Sequence, residues 1–362
     1  MENRSFHLKT LDGLRGLSAL YVLIHHARLS LTQSYQAGLH LHPEKYNSLD
    51  KLMVYFFGLF KYGHEAVIIF FVISGFVIHL KYSDENYVFG NFKVINYFKR
   101  RIIRIYPTLI TSLALCVIID LLIHYTTGEG LNSLFQKYNI ASFLYTIFLI
   151  PDSPIWGINY PIWSLKHEWF FYLIYPVLLW TATKNRLLPL GIVFFLYALF
   201  SLGIRIPFIG TAAYTFLIWF LGCCLAYFYH NNKGFPFLSW LMILALVYPF
   251  INREKVALYP LLDLIFGLIT VGLIAFLLGK PQTLISRSIR KLSGLATFSY
   301  TLYLVHSPII YGFQKIISFY SPQKQLPFHT WYVFLACVTI PPISYIIYYY
   351  TERLAINYKK KI

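Results

Sequence analysis

Arg15 and His26 share one apolar stretch, DGLRGLSALYVLIHHARLSL at 12–31, and their spacing says how they face each other. Residues eleven apart on an α-helix are separated by about 1100°, three turns plus roughly 20°, so the two lie on one face about 16 Å apart along the axis. His25 points about 100° away, which makes it the structural member of the histidine pair. A neutral imidazole, with an unperturbed pKa of about 6.5, takes and returns a proton near neutral pH, so His26 is a candidate general base for a hydroxyl nucleophile. Arg15, always charged, can hold an anionic part of a donor or stabilise charge developing on a carbonyl oxygen. Each has a plain alternative: Arg15 snorkelling to the inner headgroups and His26 resting at the outer interface. Their common face favours a shared cavity, with Arg15 toward the cytoplasm and His26 deeper.

Other polar residues stand in apolar surroundings. Arg101 and Arg104, in KRRIIRIYP at 99–107, are i, i+3 neighbours on one helix face and suit phosphate groups. Glu168 lies in IWSLKHEWFFYLIYP at 162–176, where a lone carboxylate needs a partner such as Arg, Lys or His; Lys166 and Lys137 would make it a structural ion pair. His306, in YLVHSPII, can line the same cavity or serve as a structural hydrogen-bonding residue. His40, His42 and His64 have no metal-ligand spacing, and no metal is expected. The four cysteines sit in apolar runs without the spacing of a metal site or disulfide framework.

The elements that carry these residues are set by composition. Of 362 residues, 57% are hydrophobic and 12% charged, whereas soluble domains carry about 25% charged residues. The reading is an all-α polytopic membrane protein, a single integral membrane domain with short loops and no soluble domain beside it. About ten spans are expected, at 14–32, 64–81, 105–123, 163–182, 187–204, 211–229, 236–251, 257–278, 297–317 and 331–350, each near the roughly 20 residues that a crossing needs. The stretches 52–60 and 140–150 are apolar but too short to cross, so re-entrant or interfacial segments are expected there. The formal charge of +17 raises nucleic acid as a partner, but the basic residues gather at 82–104, at 279–293 and in the tail. That placement obeys the positive-inside rule with both termini cytoplasmic, and it favours the lipid bilayer over DNA or RNA.

Several stretches together resemble the acyltransferase family 3 membrane proteins, which acylate carbohydrates and other envelope or secreted molecules. Arg15 and His26 match the family's arginine, ten residues, histidine pattern, preceded by LDGLRG. FFVISGFVI at 70–78 is similar to its second-span signature, and KRRIIRIYP to the basic motif before its third span. IWSLKHEWFFYLIYP is similar to its Trp-Ser-Leu, then Glu, then Phe-Tyr segment, and SYTLYLVHSPII at 299–310 to a late span ending in Tyr-Leu, a residue, then His. The resemblance runs from about residue 8 to 352. It implies transfer of an acyl group, most often acetyl, from cytoplasmic acyl-CoA (acetyl-CoA) to a hydroxyl of a carbohydrate or lipid-linked glycan in the cell envelope. The setting it implies is the bacterial inner membrane. Catalytic roles then fall to His26, Arg15 and Glu168, donor contacts to Arg101, Arg104 and Arg15, and substrate contacts to His306, Trp163 and Ser164. Lys166 and His167 stand where small or neutral residues are common in the family, so they bear on the charge around Glu168. Acceptor specificity falls to the membrane domain, its outer loops, or a partner protein. A proton- or ion-coupled transporter is the competing reading, since intramembrane Arg, His and Glu also build proton relays; the chain shows no internal halves of the kind many transporters have.

Overall fold

Apolar runs dictate the helices, and the polar residues among them decide how each can sit in a bilayer. The computed structural model describes residues 2–84, 87, 89–128, 136–231, 235–248, 259–321 and 326–361. It is 81% helical, with no strand among the described residues. In chain order come α1 (Glu2–Leu31), α2 (Ser48–Gly58), α3 (Gly63–His79), α4 (Val94–Thr127), α5 (Ile140–Ile147), α6 (Ile162–Lys184), α7 (Leu188–Ser201) and α8 (Ala212–His230). A 3-10 run at Phe235–Leu246 leads toward α9 (Tyr259–Gly279), α10 (Leu284–Lys291) and a second 3-10 run at Leu292–Thr297. The order closes with α11 (Ser299–Tyr320), α12 (Trp331–Tyr350) and α13 (Glu352–Lys361).

Five segments are long and apolar enough to cross a membrane: Ser48–Tyr82, Val94–Thr127, Ala212–His230, Tyr259–Gly279 and Trp331–Asn357. The expected spans 64–81, 105–123, 211–229, 257–278 and 331–350 fall on them, residues 257 and 258 lying outside the described residues. Expected spans 14–32, 163–182 and 297–317 fall on α1, α6 and α11, of 30, 23 and 22 residues, which carry Arg15, Glu168 and His306. Spans 187–204 and 236–251 meet only the 14 residues of α7 and the 12 of Phe235–Leu246, short of the roughly 20 needed; residues 249–251 are outside the described set. By length and composition, then, the described residues hold five candidate spans where the sequence reading expects about ten. The short stretches at 52–60 and 140–150 fall on α2 and α5, of 11 and 8 residues, each capped at its start by an asparagine side chain, Asn47 and Asn139.

Glycines let the helices that carry the polar residues approach closely. A Cβ at Gly75 would meet Trp219 O at 2.0 Å and one at Gly222 would meet Val72 O at 2.0 Å, so α3 and α8 cross backbone to backbone. The LDGLRG glycines do the same for α1. A Cβ at Gly13 would lie 1.9 Å from Ile289 O, and one at Gly16 2.5 Å from Leu295 Cβ. Side chains elsewhere in the bundle take up carbonyls that prolines release. Pro176 leaves the Tyr172 carbonyl without its helical donor, and Tyr97 Oη donates to it at 3.3 Å. Pro308 frees Leu304, whose carbonyl accepts from the buried Asn159 Nδ2 at 2.7 Å. That contact ties the 124–162 connection to α11 beside His306.

Candidate active site

Helices α1, α3, α4, α6 and α11 converge on one cavity. Its walls include Arg15, Ser74, Arg101, Arg104, Ser164, Glu168, Tyr172, Tyr300 and Tyr303. At about 90 Å³ it has room for roughly six waters at about 15 Å³ each. Ligand sites usually measure roughly 300–1,000 Å³, so the cavity as it stands admits only one end of a large donor.

The arginines reach it from two helices. Arg15 Nη2 contacts Asp12 at 3.1 Å and Ala296 O at 3.4 Å, the second contact made possible by the Gly16 approach. Arg101 stands over the rings of Tyr97 and Tyr172, 5.3 and 5.0 Å from their centroids. Arg15 Nε and Arg101 Nε are both buried without a hydrogen-bond partner among the described residues. A buried cationic donor left unmatched is costly, so this corner suits an anion.

Glu168 is held from the other side. Its Oε1 accepts from Ser74 Oγ at 2.7 Å and from Tyr172 Oη, and Trp219 Nε1 donates to Ser74 Oγ at 3.3 Å. Neither lysine proposed as its structural partner reaches it. Lys137 Nζ binds Asp120 at 3.1 Å. Lys166 Nζ, although buried, donates to Ser153 O, Ser153 Oγ and Pro154 O at 3.0, 2.8 and 3.2 Å. His167 turns toward Thr211 and Thr215, at 3.0 and 3.1 Å, and toward Asp152 Oδ1 at 3.7 Å. Both residues that stand out in the WSLKHE segment therefore pin the loop before α6 and the start of α8, and the carboxylate is left to the cavity. In that loop, burial pushes the Asp152 carboxyl up, but the nearby His167 ring and hydrogen bonds from Thr211 N and Oγ1 outweigh it and hold the group below its ordinary range.

His26 lies outside this cavity. Its Nδ1 is 2.8 Å from His306 Nε2, with the rings at 5° to each other and their centroids 5.1 Å apart. The expected Arg15–His26 sharing of one cavity is thus replaced by two layers: Arg15 lines the cavity, and His26 pairs with His306 beyond Tyr303, whose ring is 5.9 Å from that of His306. His25 is fixed elsewhere, Nδ1 2.8 Å from Phe60 O and its ring against Gly63. Ser164 lines the cavity and its Oγ is 2.6 Å from Tyr303 Oη. Trp163 does not line it; its ring stacks on that of His64, 5.7 Å away. Among the described residues no group of three or more His, Cys, Asp or Glu is placed to hold a metal ion.

Sequence reasoning missed three participants. Ser74 and Tyr172 sit in stretches quoted above as signatures, and their polar atoms amid aromatics were the available signal. Glu352 looked like part of the tail, yet it is 4% exposed, accepts from Thr301 Oγ1 at 2.8 Å and lies within electrostatic reach of Arg104 and Arg15. The short helix α13 brings it there by packing on α4.

The chain is 23% identical over 374 aligned positions to the O-acetyltransferase OatA of Staphylococcus aureus, covering 94% of this chain and 56% of that protein. It is 29% identical over 178 positions to the acyltransferase MdmB of Streptomyces mycarofaciens, covering 49% of this chain and 40% of that one. The chain thus spans about half the length of the curated relatives it matches. No solved structure matches it. The model of the family described as an acyltransferase domain matches residues 8–349, nearly the whole chain, and so takes in α1 with Arg15 and His26, α4, α6 and α11: the protein belongs to acyltransferase family 3.

Proposed function

We propose that this protein is a membrane-embedded acyltransferase that moves an acyl group, acetyl first among them, from cytoplasmic acyl-CoA to a hydroxyl of a carbohydrate or lipid-linked glycan of the cell envelope. Both termini face the cytoplasm, and the membrane is the bacterial inner membrane. The observation that carries this reading is the pair of buried, unmatched Nε groups of Arg15 and Arg101 on one cavity with Arg104 and Glu168. Three guanidinium groups gathered on one buried cavity are expensive unless they serve an anion, and the phosphates of a CoA supply one.

Transfer makes the C–O bond of the new ester and breaks the thioester C–S bond. The acceptor hydroxyl gives its proton to His26 as it attacks, and the proton returns to the departing thiolate. Arg101 and Arg104 hold the donor, Arg15 stabilises the charge on the thioester oxygen, and Glu168, fixed by Ser74 and Tyr172, sets the position of the guanidinium groups. Ser164 and Trp163 face the acceptor side, where the outer loops or a partner protein select the substrate. The names of the matched relatives, an O-acetyltransferase and an acyltransferase, support the reaction class. Mass spectrometry of envelope glycans and lipids from cells with and without the protein tests it. A species heavier by one acyl group, present only with the protein, is expected; identical profiles under conditions of verified expression would contradict it.

A further inference from the structure

We propose that His306 fixes the tautomer of His26, so that Nε2 of His26 is the nitrogen that takes the proton. The proposal rests on the reading of His26 as base and makes His306 a positioning residue where the sequence suggested a substrate contact.

The inference follows from a chain of three groups. His306 Nδ1 lies 3.0 Å from the carbonyl of Leu302, one turn back on α11. A carbonyl only accepts, so Nδ1 carries the hydrogen, and in a neutral ring Nε2 is then a bare lone pair. His26 Nδ1 lies 2.8 Å from that lone pair and must be the donor. The single hydrogen of neutral His26 is therefore spoken for, and its own lone pair is on Nε2. Ring geometry agrees. The planes differ by 5°, and the centroid separation of 5.1 Å exceeds the N···N distance of 2.8 Å by about two ring radii. Both nitrogens thus lie near the line joining the ring centres, with the N–H of one directed at the lone pair of the other.

Neutral rings are the state that this setting favours. His306 is fully buried, and neither ring is ion-paired with a carboxylate among the described residues. A resting charge there would cost several kcal/mol. During transfer, His26 gains the hydroxyl's proton on Nε2 while Nδ1 keeps donating to His306, so the transient imidazolium is held by a neutral acceptor. The orienting carboxylate of a serine hydrolase triad has the same task. The bond of Nδ1 to the Leu302 carbonyl and the Tyr303 ring, 5.9 Å away, set the orientation of the His306 ring.

The test uses the full-length protein labelled with ¹⁵N-histidine, with the His26 resonance assigned by its loss in His26→Ala. The wild type is expected to show His26 as the Nδ1–H tautomer. His306→Leu, which removes the acceptor, should shift it toward Nε2–H. His306→Gln, whose side-chain oxygen can stand near the position of Nε2, should keep the wild-type tautomer. In steady-state assays His306→Leu should lower kcat by up to about 10⁴-fold, the loss seen when a catalytic histidine is left in the wrong tautomer. KM for acyl-CoA should stay unchanged, and His306→Gln should recover at least tenfold of the loss. An Nε2–H tautomer in the wild type, or a tautomer indifferent to His306→Leu, would overturn the proposal. So would a rise in KM without a fall in kcat, the signature of a substrate contact. Transfer that survives His26→Ala would instead sink the base reading, while the spectrum would still decide the tautomer.

Discussion

Ser164 Oγ and Tyr303 Oη lie 2.6 Å apart, and the two residues close the arginine-lined cavity on the side of His306. On α11, Tyr300, Tyr303 and His306 succeed one another at single-turn spacing, so the helix runs from the level of Arg104 to the histidine pair. On the proposed function the donor cavity and the base are adjacent layers, and the hydroxyl pair is the boundary between them.

Replacing Tyr303 by Phe tests that boundary. The variant loses the contact to Ser164 and a weaker one to Pro161 O at 3.3 Å, while Ser164 keeps its own bond to Pro161 O at 3.1 Å. A loss of about 1–3 kcal/mol in stability is expected, read by thermal unfolding in detergent, with acyl-CoA affinity unchanged because no arginine is touched. A fall in donor affinity as large as that of an arginine variant would place Tyr303 in the donor site.

Arg101→Ala and Arg104→Ala should act on donor binding. Charge-assisted contacts contribute roughly 1.5–3 kcal/mol each, which is about 10- to 150-fold in affinity. An interaction equal in ground and transition states raises KM and leaves kcat unchanged. Arg104→Lys should restore only part of the loss, since Lys keeps the charge but lacks the fork. Calorimetric titration with acyl-CoA beside steady-state kinetics measures both; unchanged affinity in both folded variants would return these residues to a topological role.

On the proposed function Glu352 competes with the donor for Arg104 and Arg15, within whose electrostatic reach it lies. Glu352→Gln keeps a group that can bond Thr301 but removes the charge within reach of Arg104 and Arg15. KM for acyl-CoA should fall by up to about tenfold, each factor of ten being 1.4 kcal/mol. A rise in KM would show that the carboxylate supports the site by holding the arginines in place.

Asp152 carries a pH signature. Its carboxyl is held below the ordinary range, so its contribution is present above the unfolded pKa of about 3.9 and is lost as pH falls through the lower folded value. Thermal unfolding of wild type and Asp152→Asn should differ at neutral pH and converge in acid. A difference that persists or grows on acidification would mean that the anchor does not depend on the carboxylate.

Much of the fold was legible because helix follows from long apolar runs. Helical spacing put Arg15 and His26 on one face of α1, yet it could not show that Tyr303 would come between the arginine cavity and the histidine. That layer depends on α11, about 280 residues away. The same distance hid the His26–His306 pair. Lys166 looked like a partner for Glu168 on spacing alone. The loop before α6, with positive φ at Leu149 and Asp152, folds back over Lys166 and presents carbonyls to it, and loop geometry of that kind is not written in periodicity. Glu352 was passed over as part of a charged tail because nothing local says that α13 turns back onto α4. The span count differed at five places: α7 and Phe235–Leu246 are too short to cross, while α1, α6 and α11 are long enough but carry polar residues such as Arg15, Glu168 and His306 that set them apart from the five apolar segments.

The central claim is that His26 performs the chemical step beside an arginine site that holds the donor. Its most direct test is acyl transfer from acyl-CoA by purified, membrane-reconstituted His26→Ala, with wild type and His25→Ala in parallel and folding checked by thermal unfolding. General base catalysis contributes about 10²- to 10⁴-fold, so the account predicts a kcat lower by that factor in His26→Ala, an unchanged acyl-CoA affinity, and a milder effect in His25→Ala. Near wild-type kcat in a folded His26→Ala protein would contradict it.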